Sequence, residues 1–475
     1  MIDRREIIEL AREFGLSANV VEKDYVLGWL LAGIYNHPDL SEKWIFKGGT
    51  CLKKCFFETY RFSEDLDFTL LEKEHLNQTF LHKTFGEIAE WVYEASGIEL
   101  PVSGLRFELF TNPRGQNQGE GRIGYRGPLQ NRGDLPRIKI DVTTDERLVQ
   151  PPVQRNVHHP YSDVPEAGIQ ARTYCYEEIF AEKLRALAER ERPRDLYDVI
   201  HLYRRIDGNT EQVLILEILK AKCEFKGIAL PTVLALERQP QRAELESDWE
   251  HMLGHQLPSL PPFEQFWQEL SQVFAWLYES RKKPTVPSIS LPAEIDRTWL
   301  PPPMAQAWGT RAPLEVIRFA AANHLCVDLR YDGSNRLIEP YSLRRTLDGN
   351  LILKALRHDS GESRSYRVDR IDGAVVTRVP FVPKYEIELT SSGPIIAHSI
   401  VQQSYLPSRS PGRSRGVSRL SRSRSASHGP TYVIGCTVCG KHFNRKSRDT
   451  KLNVHKNKSG YRCVGRTGYL VETKY

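Results

Sequence analysis

The sequence has no apolar run approaching the ~20 residues that a helix needs to cross a bilayer. Its opening stretch, MIDRREIIELAREFG, is charged throughout and lacks the apolar core of a secretory signal, so a cytoplasmic location with no membrane partner is expected. Five of the eight cysteines (Cys51, Cys55, Cys175, Cys223 and Cys326) show neither ligand spacing nor a disulfide pattern, and read as reduced, mostly buried thiols. No internal repeat is visible. What is present is a chain of 475 residues, too long for one core and suited to two to four domains, with 40% hydrophobic and 27% charged residues.

Charge is unevenly distributed. Residues 401–475 hold 16 of the 66 basic residues but only 2 of the 60 acidic ones, leaving the first 400 with 50 against 58. A mildly acidic body with a strongly basic tail suits a polyanion partner such as nucleic acid; the bland alternative is a solvated, self-repelling tail.

The first 40 residues read as two helices, and 44–70 as strand, Gly-Gly turn, helix and a second strand, LDFTLL. A helix over 76–96 ends at Gly97. Short β segments (LRFELF, RIKIDVTT) follow, separated by a Gly/Asn/Arg-rich stretch, 112–134, read as a mobile loop. Helical patterns occupy 175–205, 210–226 and 263–279. Six prolines within 282–303 mark a boundary. Strand and turn signals alternate over 312–390, and 407–428 is Arg-Ser sequence unable to bury a core.

Chemistry concentrates in FKGGTCLKKCFFETYRFSEDLDFTLL, residues 46–71. Gly48 and Gly49 let backbone amides approach a phosphate, with a helix N-terminus behind them. Asp65 and Asp67 lie two apart on a strand and so share a face. RIKIDVTTDE offers Asp141 among apolar neighbours. Three carboxylates on adjacent strands would hold Mg²⁺ or Mn²⁺ with positions left for phosphates. Farther on, Tyr176, Phe180, Leu184 and Leu187 form a buried helical stripe with Lys183 at its border, either a cleft cation or a snorkelling surface lysine. Asp195 and Asp198 lie three apart on one helical face after Pro193.

These segments resemble the AbiEii/AbiGii toxin nucleotidyltransferases of the DNA polymerase β-like superfamily. Lys47-Gly48-Gly49-Thr50 and Arg61-Phe62-Ser63-Glu64-Asp65-Leu66-Asp67 match the first motif, and Lys139-Ile140-Asp141 the second. VEKDYVL at 21–27 is similar to the family's N-terminal helix, and 177–198 to its later motifs. The resemblance implies catalytic roles for Asp65, Asp67, Asp141, Lys183 and Asp195, the last either as a base or as a group orienting Lys183 or Arg194. It implies nucleotide contacts from Lys47, Gly48, Gly49, Thr50, Arg61 and Ser63. It also implies transfer of a nucleoside monophosphate from an NTP to RNA, foremost the tRNA 3′ end, by a toxin of a type IV-like toxin–antitoxin or phage-defence system, held in check by a separately encoded antitoxin.

Residues 312–385 resemble a WYL domain, with Leu351-Ile352-Leu353 where the family's Trp-Tyr-Leu would stand. Arg344, Arg345, Arg367 and Arg370 with Tyr341 are expected either to line a nucleotide groove or to form an ordinary barrel surface. In the tail, Cys436-x2-Cys439 followed by His455 and Cys463 gives four ligands for a structural Zn²⁺, with His442 as the competing histidine. Around it, Lys441, Arg445, Lys446, Arg448, Lys451, Lys456 and Lys458 with Phe443 and Tyr461 suit nucleic acid, or alternatively a protein.

The expected architecture is thus mixed α/β (α+β). A polymerase β-like transferase domain with a helical C-terminal part spans 1–280, a proline-rich linker 281–310 and a small WYL-like β-barrel 311–390. A disordered Arg/Ser linker covers 405–430 and a zinc module 431–475. The alternative function is a nucleic-acid-binding WYL-type regulator on a degenerate transferase scaffold. The absence of a helix-turn-helix pattern before the barrel and the intact carboxylate set favour the enzyme.

Overall fold

The computed structural model describes residues 1–389 and 431–474, apart from short stretches at 58, 113–114, 131–132, 207–209, 239–240, 280–281, 297, 300–312, 440, 446–449, 453–454, 457–461 and 466. The Arg-Ser segment and Lys446, Arg448, Lys458 and Tyr461 lie outside the described residues. The chain divides into two units, 1–397 and 398–475.

In the first unit, α1 (Arg4–Phe14) starts at Asp3, whose side chain accepts from the Glu6 amide, and stops at Gly15 in the left-handed region (φ 66°). It buries Ile7, Leu10 and Ala11. α2 (Ala18–Asn36) is apolar nearly all round and is buried accordingly. β1 (Trp44–Lys47) leads into the short helix α3 (Gly48–Cys51), and β2 (Asp65–Leu70) returns antiparallel to β1. α4 (Gln78–Ser96), capped by Asn77 and Gly97, covers the sheet's inner face. β3 (Arg106–Thr111), β4 (Asn117–Gly124), β5 (Arg137–Thr143), β6 (Val153–Asn156) and β7 (Gln170–Thr173) complete a seven-stranded sheet in the order β3-β4-β5-β2-β1-β7-β6. Strand β5 runs parallel to β2, with Asp67 level with Asp141.

The stretch read as a mobile loop contains β4, one strand in from the edge of the sheet and paired on both sides. Its glycines hid it from propensity. A Cβ at Gly119 would come within 2.8 Å of Val142, and one at Gly121 within 2.6 Å of Phe107. Glycine is there because neighbouring side chains occupy the space over the strand, not because the chain turns.

The helices follow: α5 (Tyr176–Arg190), α6 (Pro193–Arg204), α7 (Gln212–Lys226), α8 (Val233–Leu236), α9 (Gln241–Leu253) and α10 (Phe263–Glu279). The region read as strands and turns opens instead with a helix, α11 (Leu314–Ala322), packed on α1 and on the next sheet. That sheet comprises β8 (Leu325–Tyr331), β9 (Ser334–Arg345), β10 (Leu351–Arg357), β11 (Ser363–Arg367) and β12 (Ile371–Pro380), antiparallel in the order β11-β10-β9-β8-β12. One hydrophobic cluster runs from α1 through the transferase helices into this sheet. The proline-rich stretch lies along it: Ile289 packs with Cys326, Tyr341, Leu356 and Phe381, and Ile295 bridges to Thr346.

The arginines singled out on this sheet are paired with carboxylates. Tyr341 is buried, its hydroxyl donating to Glu339 and accepting from the Lys384 amide. Arg344 pairs with Glu388, Arg345 with Asp296, Arg367 with Asp369 and Arg370 with Asp332. Except for Asp369, these carboxylates are more than thirty residues away in sequence from the arginines they meet.

The second unit contains β13 (Thr431–Cys436), β14 (His442–Arg445), β15 (His455–Lys456), β16 (Arg462–Cys463) and β17 (Gly468–Lys474). β14, β13 and β17 form one sheet, while β15 and β16 form a ribbon that sets His455 opposite Cys463.

Candidate active site and zinc cluster

Period-two alternation on β2 and β5 turns Leu66, Ile140 and Val142 into the core and Asp65, Asp67 and Asp141 out of it. The three carboxylates line a polar cleft of about 240 Å³ together with Lys47, Gly48 and Lys183. Burial and then the Asp67 charge push the Asp141 carboxyl up to about 6, although Lys139 donates to it at 3.0 Å. Asp65 is raised for the same two reasons, burial and Asp67. Crowded carboxylates that repel one another on an open face fit a divalent cation with oxygen ligands.

The two glycines make room for side chains under the turn. Gly48 has φ +81°, and a Cβ there would sit 2.1 Å from Asp67 Oδ2. A Cβ on Gly49 would lie 2.4 Å from Arg61 Nη2 and 3.1 Å from Ser63 Oγ. The turn is therefore shaped to admit Asp67 and Arg61 beneath it. The Thr50 hydroxyl is spent on the Asp65 carbonyl, which fixes the start of β2. Lys47 reaches Glu146 (3.4 Å) and Glu182 (3.8 Å). Ser63 stands at the cleft rim, half-buried.

Arg61 is buried and grips Asp198 with both arms, Nε to Oδ1 at 2.7 Å and Nη2 to Oδ2 at 2.8 Å. Tyr60 donates to the same carboxylate, and Lys183 Nζ lies 2.7 Å from it. Burial opposes the charge on Asp198, yet Arg61 and Lys183 hold its carboxyl well below the ordinary range. Asp195 sits 3.5 Å from Lys183 and receives both arms of Arg190. Lys183 is thus buried between two aspartates from the first two turns of α6, as their three-residue spacing requires.

Sequence reasoning left Asp198 without a role and overlooked Arg190; the Asp-x-x-Asp spacing was the only signal. Arg194 also lines the cleft, and its buried Nε has no hydrogen-bond partner. VEKDYVL serves as scaffold: Glu22 accepts from the Leu129 amide, and Asp24 pairs with the fully buried Lys54 at 2.6 Å.

With this geometry in place, the comparisons are specific. Residues 29–272, more than half of the chain, match the model of the nucleotidyl transferase AbiEii toxin of type IV toxin–antitoxin systems. The chain belongs to the AbiEii toxin family. It is a nucleotidyltransferase, and residues 313–376 match the WYL domain. No curated protein sequence matches it. Among solved structures, MenT4, a nucleotidyltransferase toxin of Mycobacterium tuberculosis, is similar at 18% identity and TM-score 0.39, covering 58% of this chain and 90% of that one. JHP933 of Helicobacter pylori is similar at 19% identity and TM-score 0.34, covering 56% and 94%. No helix among the described residues of this AbiEii protein is long and apolar enough to cross a membrane.

In the second unit, ligand atoms of Cys436, Cys439, His455 and Cys463 all lie within 4.8 Å of one another. His455, not His442, joins the three thiols; His442 is on β14 opposite Gly435. Burial resists ionisation of Cys436, but the Cys439 and Val438 amides outweigh it and bring the thiol down to about 6. A Cys₃His set of this kind is compatible with a structural zinc ion.

Proposed function

We propose that this AbiEii toxin transfers a nucleoside monophosphate from an NTP to the 3′ end of an RNA, with tRNA as the leading acceptor. The observation that carries the reading is the placement of Asp65, Asp67 and Asp141 on paired strands, facing a cleft whose far wall holds Lys183 and Arg194. A divalent ion, Mg²⁺ or Mn²⁺, held by the three carboxylates would supply charge to the triphosphate and lower the pKa of the attacking hydroxyl. Lys183 and Arg194 face the triphosphate; Asp195 and Asp198 hold Lys183 extended, so Asp195 orients rather than takes a proton. Ser63 and the Gly48–Gly49 backbone border the nucleotide, whereas Lys47, Thr50 and Arg61 act by fixing the walls around it. The acceptor oxygen bonds to the α-phosphorus as the bond to pyrophosphate breaks.

The toxin is read as a cytoplasmic enzyme restrained by a separately encoded antitoxin, with residues 431–475 as a zinc-bound nucleic-acid contact. The test is incubation of the protein with each labelled NTP, Mg²⁺ and total RNA beside the Asp65→Ala/Asp67→Ala variant. Label entering RNA with the wild type alone supports the reading. Label entering with both proteins refutes the carboxylate assignment, and label entering with neither refutes the acceptor.

A further inference from the structure

The same alternation that exposes the carboxylates on β2 and β5 continues outward over two more strands, β4 and β3. Register places Asp65 beside Lys139, Lys139 beside Arg122 and Arg122 beside Arg106, one cross-strand row from the cleft to the edge of the sheet. The adjacent row is Asp67, Asp141, Glu120 and Glu108, and the next ends in Gln118 and Phe110. All the outer members of these rows point away from α4. That helix packs on the opposite face, where Phe107 meets Phe85 at 5.1 Å. Arg122 is 55% exposed, Lys139 38% and Phe110 48%. Glu120 bonds Arg122 at 2.8 Å and Lys139 at 3.1 Å, which holds both cations upright on the face. With Arg137 at the far end of β5, three cations (Arg106, Arg122 and Arg137) stand against two carboxylates outside the cleft, Lys139 standing at its edge, on a body whose first 400 residues are net acidic.

We propose that this open sheet face is the track for the acceptor, taken as an unpaired RNA 3′ end. Phosphates follow the Lys139–Arg122–Arg106 row, about 10 Å long at the usual strand spacing, and a base stacks on Phe110. A flat face with a charged row and an exposed aromatic suits splayed single-stranded bases rather than a duplex, which is read by its grooves. The row begins beside Asp65, so a strand lying on it delivers its terminal hydroxyl to the carboxylates. This inference rests on the reading that RNA is the acceptor.

The experiment measures steady-state transfer to a single-stranded RNA oligonucleotide with a free 3′ hydroxyl. It compares wild type, Arg106→Glu/Arg122→Glu, Arg106→Lys/Arg122→Lys and Phe110→Ala in the full chain. All the changes are on exposed positions, and retained folding is read by circular dichroism. The expected result is a KM for RNA raised at least about 10-fold by the glutamate pair and by Phe110→Ala, with the KM for NTP unchanged. The lysine pair retains near wild-type values. Removing two phosphate contacts also flattens the salt dependence of RNA binding by about 1.4 in log–log slope. An RNA KM unchanged in the glutamate pair overturns the track while leaving RNA as acceptor. If the wild type labels protein or a small acceptor but no RNA, the underlying reading falls and the track with it.

Discussion

At the level of single residues, the cleft depends on atoms that are missing as much as on those present. Gly48 is held at a positive φ, and the volume a methyl group would take is filled by the Asp67 carboxylate. Gly48→Ala therefore combines roughly 1–2 kcal/mol of left-handed strain with displacement of a carboxylate. Transfer should fall at least about 100-fold while the circular dichroism spectrum is kept, because an ångström-scale misplacement of a reacting group costs that much. Wild-type turnover in this variant would show that Asp67 need not sit where it does. Arg61 makes a contrasting case. Arg61→Ala leaves the buried Asp198 with the Tyr60 hydroxyl and Lys183 but without its bidentate partner, and should destabilise the first unit by about 3–5 kcal/mol in denaturant unfolding. Ser63→Ala, at the rim, should leave that stability unchanged and raise the KM for NTP. The carboxylates were legible in the sequence because a strand's period of two fixes which side chains share a face. The partner of Arg61 was not, because Asp198 approaches it from a helix more than a hundred residues away.

At the level of elements, local pattern located what periodicity can describe and misread what neighbours impose. The amphipathic α1, the apolar α2 and the aromatic α10 carry their burial in their own spacing. Strand β4 does not, since its glycines answer to Phe107 and Val142 on the adjacent strands. The proline-rich stretch is similar: its composition forbids helix and sheet, yet two isoleucines and Lys283 tie it down. Lys283 donates to the carbonyl of Arg204 at 2.7 Å, and burial, with Arg205 adding repulsion, lowers its pKa to about 8. A lysine depressed in the folded state releases its proton there first. Between pH 8 and the ordinary value of 10.5, the unfolded chain therefore binds more protons, and stability from this group rises with pH. The stability of the wild type relative to Lys283→Met should increase from pH 7.5 to 9.5 in urea unfolding; a gap independent of pH would show that Lys283 titrates normally.

On the scale of the whole molecule, the transferase helices and the WYL sheet share one hydrophobic cluster. Asn323, between α11 and β8, accepts from the Tyr197 hydroxyl at 2.9 Å and lies 3.2 Å from His201, both on α6, the helix that carries Asp195 and Asp198. Proline density shows where the chain changes character, but it is silent about what packs on what, so nothing in the sequence foretold this contact. Asn323→Leu removes the buried acceptor shared by two polar side chains and should cost the first unit about 1–3 kcal/mol, measured by thermal or denaturant unfolding. The second unit depends on a different term. Among the described residues its apolar cluster is Ile434, Cys436, Leu452 and Cys463 with a few partly buried neighbours, so its fold should rely on zinc. Chelation, or Cys439→Ser, should abolish hydrogen-exchange protection over β13 and β17 and leave that of β1, β2 and β5 intact. Protection of β13 that persisted without metal would contradict this.

The shared cluster also has a meaning for how the protein is made. A ribosome releases the chain from its N-terminus, and the carboxylates of β2 and β5 leave it within the first third of synthesis. The surface of α6 and α10 that Asn323 and α11 cover stays bare until more than three hundred residues have emerged, and Arg318 finds the Leu389 carbonyl only later still. A nucleotidyltransferase toxin assembled in this order passes most of its synthesis as an incomplete globule. Translation itself sets a delay between the first appearance of the active-site residues and the moment they are held firmly enough to act.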